Sequence, residues 1–162
     1  MVDITAKSNT LRIATAEALV EVSSPKTIEA IREHRVPKGD AFEMSRAAGL
    51  LGVKKTPELL PDCHPIPIEY TGFHFEIVDQ TIKISCTIKT IYKTGVEVEA
   101  MHGASIAAKI AVPTIDNDIG NVERDLIGLI LVPIIPLKKT VTGATENANA
   151  LLANSNHTFL FI

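Results

Sequence analysis

Apolar and polar positions along this 162-residue chain follow two periods, close to two in some stretches and close to the helical repeat in others. Residues 12–22 (RIATAEALVEV) alternate weakly and end in β-branched residues, which predicts a strand. Ser24 followed by Pro25 provides a capping residue and a proline at the first helical position, opening a short helix to about Arg32. His34 to Lys38 reads as a loop, with Pro37 keeping its predecessor extended. Asp40 and Glu43 then have capping-box spacing. Ala41, Met44, Ala48 and Leu51 follow at near-helical intervals, a stripe of mostly small residues suited to close packing. Lys54 and Lys55 fall in the last turn of this second helix, where cations suit the macrodipole, and Pro57 closes it.

Leu59 to Pro67 (LLPDCHPIP) carries prolines at 61, 65 and 67 and predicts an irregular but rigid loop. Residues 68–78 and 81–92 are β-branched and aromatic runs on either side of Asp79-Gln80, the pattern of an antiparallel hairpin. Thr94 and Glu97 have the T-x-x-E spacing of a capping box, opening a long helix with Val96, Ala100, Ala104, Ala107 and Ala108 on its apolar side and Pro113 at its end. Beyond it, Asp116 to Asn121 reads as a turn, and 126–137 as one buried strand, broken or bulged at Pro133. Residues 140–156 read as a weak helix or a mobile tail, and 157–162 as a short terminal strand. The order β-α-α-β-β-α-β predicts an α+β fold: a ferredoxin-like two-layer sandwich in which helices pack on one face of an antiparallel sheet. The length suits a single domain over 1–162.

Composition narrows the function classes. With 46% hydrophobic and 22% charged residues the chain is not a low-complexity protein. Aromatic residues make up 4%, with no Trp, so the core is aliphatic and stacking platforms for single-stranded nucleic acid are not expected. A net charge of −3 argues against a general polyanion binder, so any phosphate site must be a local cationic cluster. Cys63 and Cys86 form no disulfide framework and read as reduced thiols of a cytoplasmic protein. The opening MVDITAK has an early acid and no apolar run, unlike a signal peptide. The apolar stretch 126–137 falls well short of the ~20 residues a membrane span needs.

Polar residues with chemical potential gather at element ends. Lys38-Gly39-Asp40 precedes a helix, where Gly39 allows close backbone approach and Lys38 can meet an anion; from spacing alone, an exposed lysine beside a cap is the simpler reading. In Asp62-Cys63-His64-Pro65 the prolines hold His64 ready to act as acid or base, or to hydrogen-bond a heterocycle. The same loop can simply be held by packing, with His64 bonding a carbonyl. No second Cys/His pair lies at ligand spacing, so no metal is expected. The capping box accounts for Glu97 but not for Glu99, which points to roughly the other side of the helix; a first-turn carboxylate also suits the dipole. Arg12, inside an apolar strand, is either a snorkelling edge residue or an anion clamp.

Taken in order, MVDITAK, TLRIATAEA, KGDAFEMSRAAG, KKTPELLPDCHPIP and YKTGVEVEA resemble the cyclic pyranopterin monophosphate synthases, the C proteins of molybdenum cofactor biosynthesis, over about residues 1–110. LLPDCHPIP and KTGVEVEA are the most specific blocks. The resemblance implies a cytosolic lyase without a cofactor, assembled as a hexamer (a trimer of dimers) with active sites between subunits. Its substrate would be a cyclised dihydro-GTP, converted to cyclic pyranopterin monophosphate with release of pyrophosphate. Matching motif positions imply that Lys38 is catalytic and that Asp62, Cys63, His64, Val98 and Glu99 contact substrate. They place Arg12, Lys54 and Glu97 in the same pocket, with Arg12 and Lys54 suited to the triphosphate.

The resemblance weakens after residue 110. In the family the helix continues into an Asp-Met-x-Lys motif with a catalytic Asp and Lys; counted from Glu99 without gaps, those positions are Pro113 and Asp116. A gap near Pro113 lets Asp116 stand as the acid, but Asn117, Asp118, Ile119 and Gly120 follow it and no lysine. The family's basic Gly/Ser-rich tail is missing, and an aliphatic run, suited to burial between subunits, replaces its charged final strand. Residues 113–162 are therefore expected to be divergent and partly disordered. Two functions follow: a synthase using Lys38 and Asp116, or a catalytically impaired homologue acting as a purine-nucleotide-binding oligomer.

Overall fold

Ala14, Ala16, Ala18 and Val20 are buried while the residues between them keep partial exposure, so strand β1 (Thr10–Glu21) turns one face into the core. The computed structural model describes residues 1–22, 24–116 and 129–134. After β1 come α1 (Pro25–Arg32), α2 (Ala41–Leu59), β2 (Tyr70–Val78), β3 (Thr81–Tyr92), α3 (Glu97–Asp116) and β4 (Leu129–Ile134). The strands lie in the order β2-β3-β1-β4 and every pairing is antiparallel. This is the expected α+β arrangement with ferredoxin-like strand order. Ile82, Ile84, Cys86 and Ile88 of β3 join the inward face of β1, and Ala100, Ala104, Ala107 and Ala108 of α3 pack into the same core. The other sheet face carries Thr15 hydrogen-bonded to Thr87 at 2.8 Å and Glu17 paired with Lys83 at 2.9 Å. No helix of the described residues is long and apolar enough to cross a membrane.

Several local expectations are corrected. The buried side of α2 is Ala41, Ser45, Gly49, Gly52, Val53 and Thr56, whereas Met44 and Leu51 are exposed. Close approach decides this: a Cβ on Gly49 would stand 2.5 Å from Phe73 Cζ, and one on Gly52 would stand 2.9 Å from Ile106 Cγ1. Pro57 does not close α2 and Pro113 does not close α3, which run on to Leu59 and Asp116. A proline in the final turn removes one hydrogen bond near an end that is already losing partners, so the helix outlasts it by a few residues. As a result Lys54 and Lys55 precede the last turn of α2, and Asp116 ends a helix rather than starting a turn. Thr94 lies three residues before the start of α3 at Glu97, too early for the cap position. At the start of α2 the box is half made: Asp40 accepts from Phe42 and Glu43 N–H at 2.9 and 3.1 Å, while Glu43 pairs with Arg46.

The strand expected over 126–137 is present as β4 over Leu129–Ile134, with Pro133 opposite Ala16. Among the described residues it is an edge strand, where a missing N–H can face away from the sheet. The expected tail and terminal strand lie outside the described residues, as does most of the segment expected to be disordered.

Strand register divides the molecule into two ends. Thr10↔Tyr92 and Tyr70↔Lys89 bring together the start of β1, the end of β3 and the start of β2. Glu21↔Thr81, Val78↔Thr81 and Val20↔Leu129 bring the hairpin turn, the end of β1 and the start of β4 to the opposite end. Helix α2 starts at the hairpin end, where Phe42 stacks on Phe75 with centroids 4.9 Å apart, and finishes near the start of β2. Helix α3 starts at the Tyr92 end and runs the other way.

Candidate active site

The proline-rich loop is tied to β3 from several directions. Thr90 Oγ1 donates to Pro67 O at 2.5 Å, Glu69 N–H donates to Lys89 O at 3.3 Å, and Glu69 Oε2 accepts from Ile91 N–H at 2.7 Å. The loop is thereby held against the end of β3. Between it and the last turns of α2 lies a cleft of about 320 Å³, walled by Leu50, Val53, Lys54 and Pro57 on one side and by Ile66 and 68–71 on the other, with Glu99 reaching in from α3.

Glu99 is a buried ionisable group in this cleft. It is only 3% exposed, and burial, reinforced by the like charge of Glu97, pushes its carboxyl pKa upward. Cys63 is half-buried, and its thiol is pushed up by burial and by the negative charges of Glu99 and Asp62, so it stays a neutral thiol. Those interactions place the 62–63 loop within electrostatic reach of Glu99. His64 Nε2 donates to Val2 O at 2.9 Å, which realises the carbonyl-bonding alternative for this residue. Asp62 Oδ1 accepts from the Met1 amino group at 3.0 Å. Arg12 is partly buried and donates from Nε to Tyr92 O and from a terminal nitrogen to Lys93 O, each at 3.3 Å. It therefore joins β1 to the end of β3, just before α3, with guanidinium donors left over. Val98 is 36% exposed beside Glu99, and the Glu97 carboxylate folds back against Gly95 so closely that a Cβ there would overlap it.

Arg12, Lys54, Asp62, Cys63, His64, Glu97, Val98 and Glu99 thus share the Tyr92 end. Lys38 and Asp116 do not. Lys38 lies before α2 at the hairpin end, and the helix from Ala41 to Lys54 alone spans roughly 20 Å at ~1.5 Å per residue. Asp116, the last residue of α3, is similarly ~25 Å from Glu99. Next to Lys38 in the chain, Gly39 and Asp40 line a second recess of about 210 Å³, together with Arg32 and His34. Gly39 has φ of 103°, and a Cβ there would meet nothing within 4 Å, so backbone conformation rather than close approach requires glycine at this position.

The cleft also contains Thr71 and the Ile66/Ile68 wall, which sequence reasoning missed. Thr71 sits in an alternating strand and has no signal of its own, whereas the I-P-I spacing of 66–68 does mark two apolar side chains held on a stiff backbone. Among the described residues, no group of three His, Cys, Asp or Glu side chains is placed to hold a metal ion.

The MoaC family pattern matches residues 1–115. The probable cyclic pyranopterin monophosphate synthase of Archaeoglobus fulgidus is 41% identical over 149 residues, covering 90% of this chain and 92% of that protein. That alignment is too long to stop at residue 115. The cyclic pyranopterin monophosphate synthase of Streptomyces griseus is 44% identical over 108 residues, 67% of this chain and 60% of that protein. The probable synthase of Sulfolobus acidocaldarius is 44% identical over 107 residues, 66% of this chain and 74% of that protein. A match over more than two thirds of the sequence, together with these relatives, makes the chain a member of the MoaC family.

Proposed function

We propose that the protein is a cyclic pyranopterin monophosphate synthase, a cytoplasmic lyase of molybdenum cofactor biosynthesis that rearranges a cyclised dihydro-GTP and releases pyrophosphate. The observation that carries this reading is the buried Glu99 carboxyl sharing a cleft with Lys54 beside the Asp62–His64 loop, in a chain whose relatives bear that name. A guanine-like ring offers paired N–H donors that a carboxylate accepts, and a triphosphate calls for cations such as Lys54 and Arg12. Opening and closing rings needs positioned proton donors and acceptors, and a carboxyl whose pKa is raised by burial suits such transfers. Asp62, Cys63 and His64 are assigned to substrate, as are Glu97 and Val98 beside Glu99.

Lys38 and Asp116 are assigned as the catalytic pair, and a second copy of the chain must supply them, because each lies one helix length from the cleft of its own chain. A homo-oligomer, a hexamer built as a trimer of dimers, would bring the hairpin end of one subunit to the Tyr92 end of another.

The test is complementation. Lys38→Ala and Glu99→Gln each lose about 10²-fold or more in pyrophosphate release from the cyclised intermediate. Mixing the two variants under subunit exchange restores a measurable part of the rate, since some sites then combine an intact Lys38 with an intact Glu99. No recovery on mixing would overturn the shared site. Guanine-nucleotide binding by a wild-type protein that releases no pyrophosphate would instead identify a catalytically impaired nucleotide binder.

A further inference from the structure

We propose that Thr56 and His102 form a positioning pair that fixes the separation of the two ionisable walls of the cleft, Lys54 on α2 and Glu99 on α3. The inference rests on the synthase reading for its substrate.

The two helices meet along small residues. A Cβ on Gly103 would stand 2.5 Å from Val53 Cγ2, and one on Gly52 would stand 2.9 Å from Ile106 Cγ1. Such a surface allows close approach but offers few features to stop one helix turning or sliding against the other. Directionality comes from a side-chain hydrogen bond across it, Thr56 Oγ1 to His102 Nδ1 at 3.0 Å. Thr56 is fully buried, and its hydroxyl also donates to Gly52 O at 3.1 Å. A hydroxyl has one proton. With that proton on the Gly52 carbonyl, Thr56 accepts from His102, so the imidazole carries its proton on Nδ1 and leaves Nε2 bare. Burial and the nearby Lys109 lower the His102 pKa and favour this neutral ring.

Placement gives the pair its role. Thr56 lies between Lys54 and Pro57, both of which line the cleft, and His102 is one turn after Glu99 on the same helix face. The bond to Gly52 O already satisfies the Thr56 hydroxyl as a donor, so His102 is not needed for that purpose. What it adds is a fixed rotation of the last turns of α2 relative to the first turns of α3.

The experiment compares Thr56→Val and His102→Leu, which break the bond, with Thr56→Ser and His102→Asn, which keep a hydroxyl and an N–H donor in place. Thermal midpoints check that each variant is folded; His102 is partly exposed, so the His102 pair serves if Thr56→Val fails to fold. The expected result is KM for the cyclised intermediate raised about tenfold in Val and Leu, with kcat within about twofold, and near wild-type values in Ser and Asn. Nitrogen NMR of the imidazole should show the Nδ1–H form. Folded Val and Leu variants with unchanged KM, or an Nε2–H imidazole, would overturn the pairing while wild-type turnover leaves the synthase reading intact. If the wild type releases no pyrophosphate, the synthase reading is what fails. The pair is then decided by GTP affinity: weaker in Val and Leu than in Ser and Asn supports it, and equal in all four overturns it.

Discussion

Glu99 shows how a single residue can be costly to the fold and useful to the site. Its carboxyl is buried, and its pKa in the folded chain lies above that of the unfolded chain. The native state then binds the proton more readily, so the stability this group contributes is fully present below the ordinary carboxylate range and is lost as pH rises through the folded pKa. Glu99→Gln should therefore raise the thermal midpoint by a few degrees at about pH 8 and change it little at about pH 4, as calorimetry can show. The same change should weaken guanine-nucleotide binding. Thiol labelling gives an independent check of the neighbourhood. Cys86 is completely buried and its pKa is pushed up to about 12, so an alkylating reagent should reach it only on unfolding. Cys63 should label slowly in the folded protein, and faster in Glu99→Gln, because one of the negative charges that raises its pKa is gone. Mass spectrometry separates the two sites. The sequence singles out Glu99 because the capping-box argument does not cover it, yet its burial comes from the loop and helix packed around it.

At the scale of elements, the α2–α3 contact is the part that sequence periodicity misread. Met44 and Leu51 attract attention as the large apolar residues of α2, but they are exposed, and the inward stripe is built on Gly49, Gly52 and Thr56. Hydrophobicity alone ranks leucine above glycine for burial, whereas the space between two closely packed helices selects for size. Gly103→Ala measures that constraint. Helix propensity favours Ala by about 1 kcal/mol, but overpacking in a dense core costs about 1–3 kcal/mol. The new Cβ would lie 2.5 Å from Val53 Cγ2 and 2.9 Å from Cys86 Sγ, so overlap wins and the urea midpoint should fall. An unchanged or higher midpoint would show that the helices can part without cost. The prolines teach a related lesson: Pro57 and Pro113 mark the approach of a helix end more reliably than its last residue.

Across the whole molecule, the antiparallel registers decide which candidate residues can act together. Strands of 12 residues and helices of 19 and 20 residues send the chain from end to end, so residues near one another in sequence order of motifs need not meet. If the cleft works with a second subunit, dissociation by dilution should lower specific activity along with mass measured by light scattering; activity that persists in monomers would remove the shared site. The sequence by itself determined the element order, the ferredoxin-like class and the motif blocks, because period, capping residues and turn chemistry are local properties. Fold-wide pairing decided the rest. It brought Lys54, the Asp62–Cys63–His64 loop and Glu99 to one end and left Lys38 and Asp116 at the other, because antiparallel strands and the helices between them set direction as well as neighbourhood.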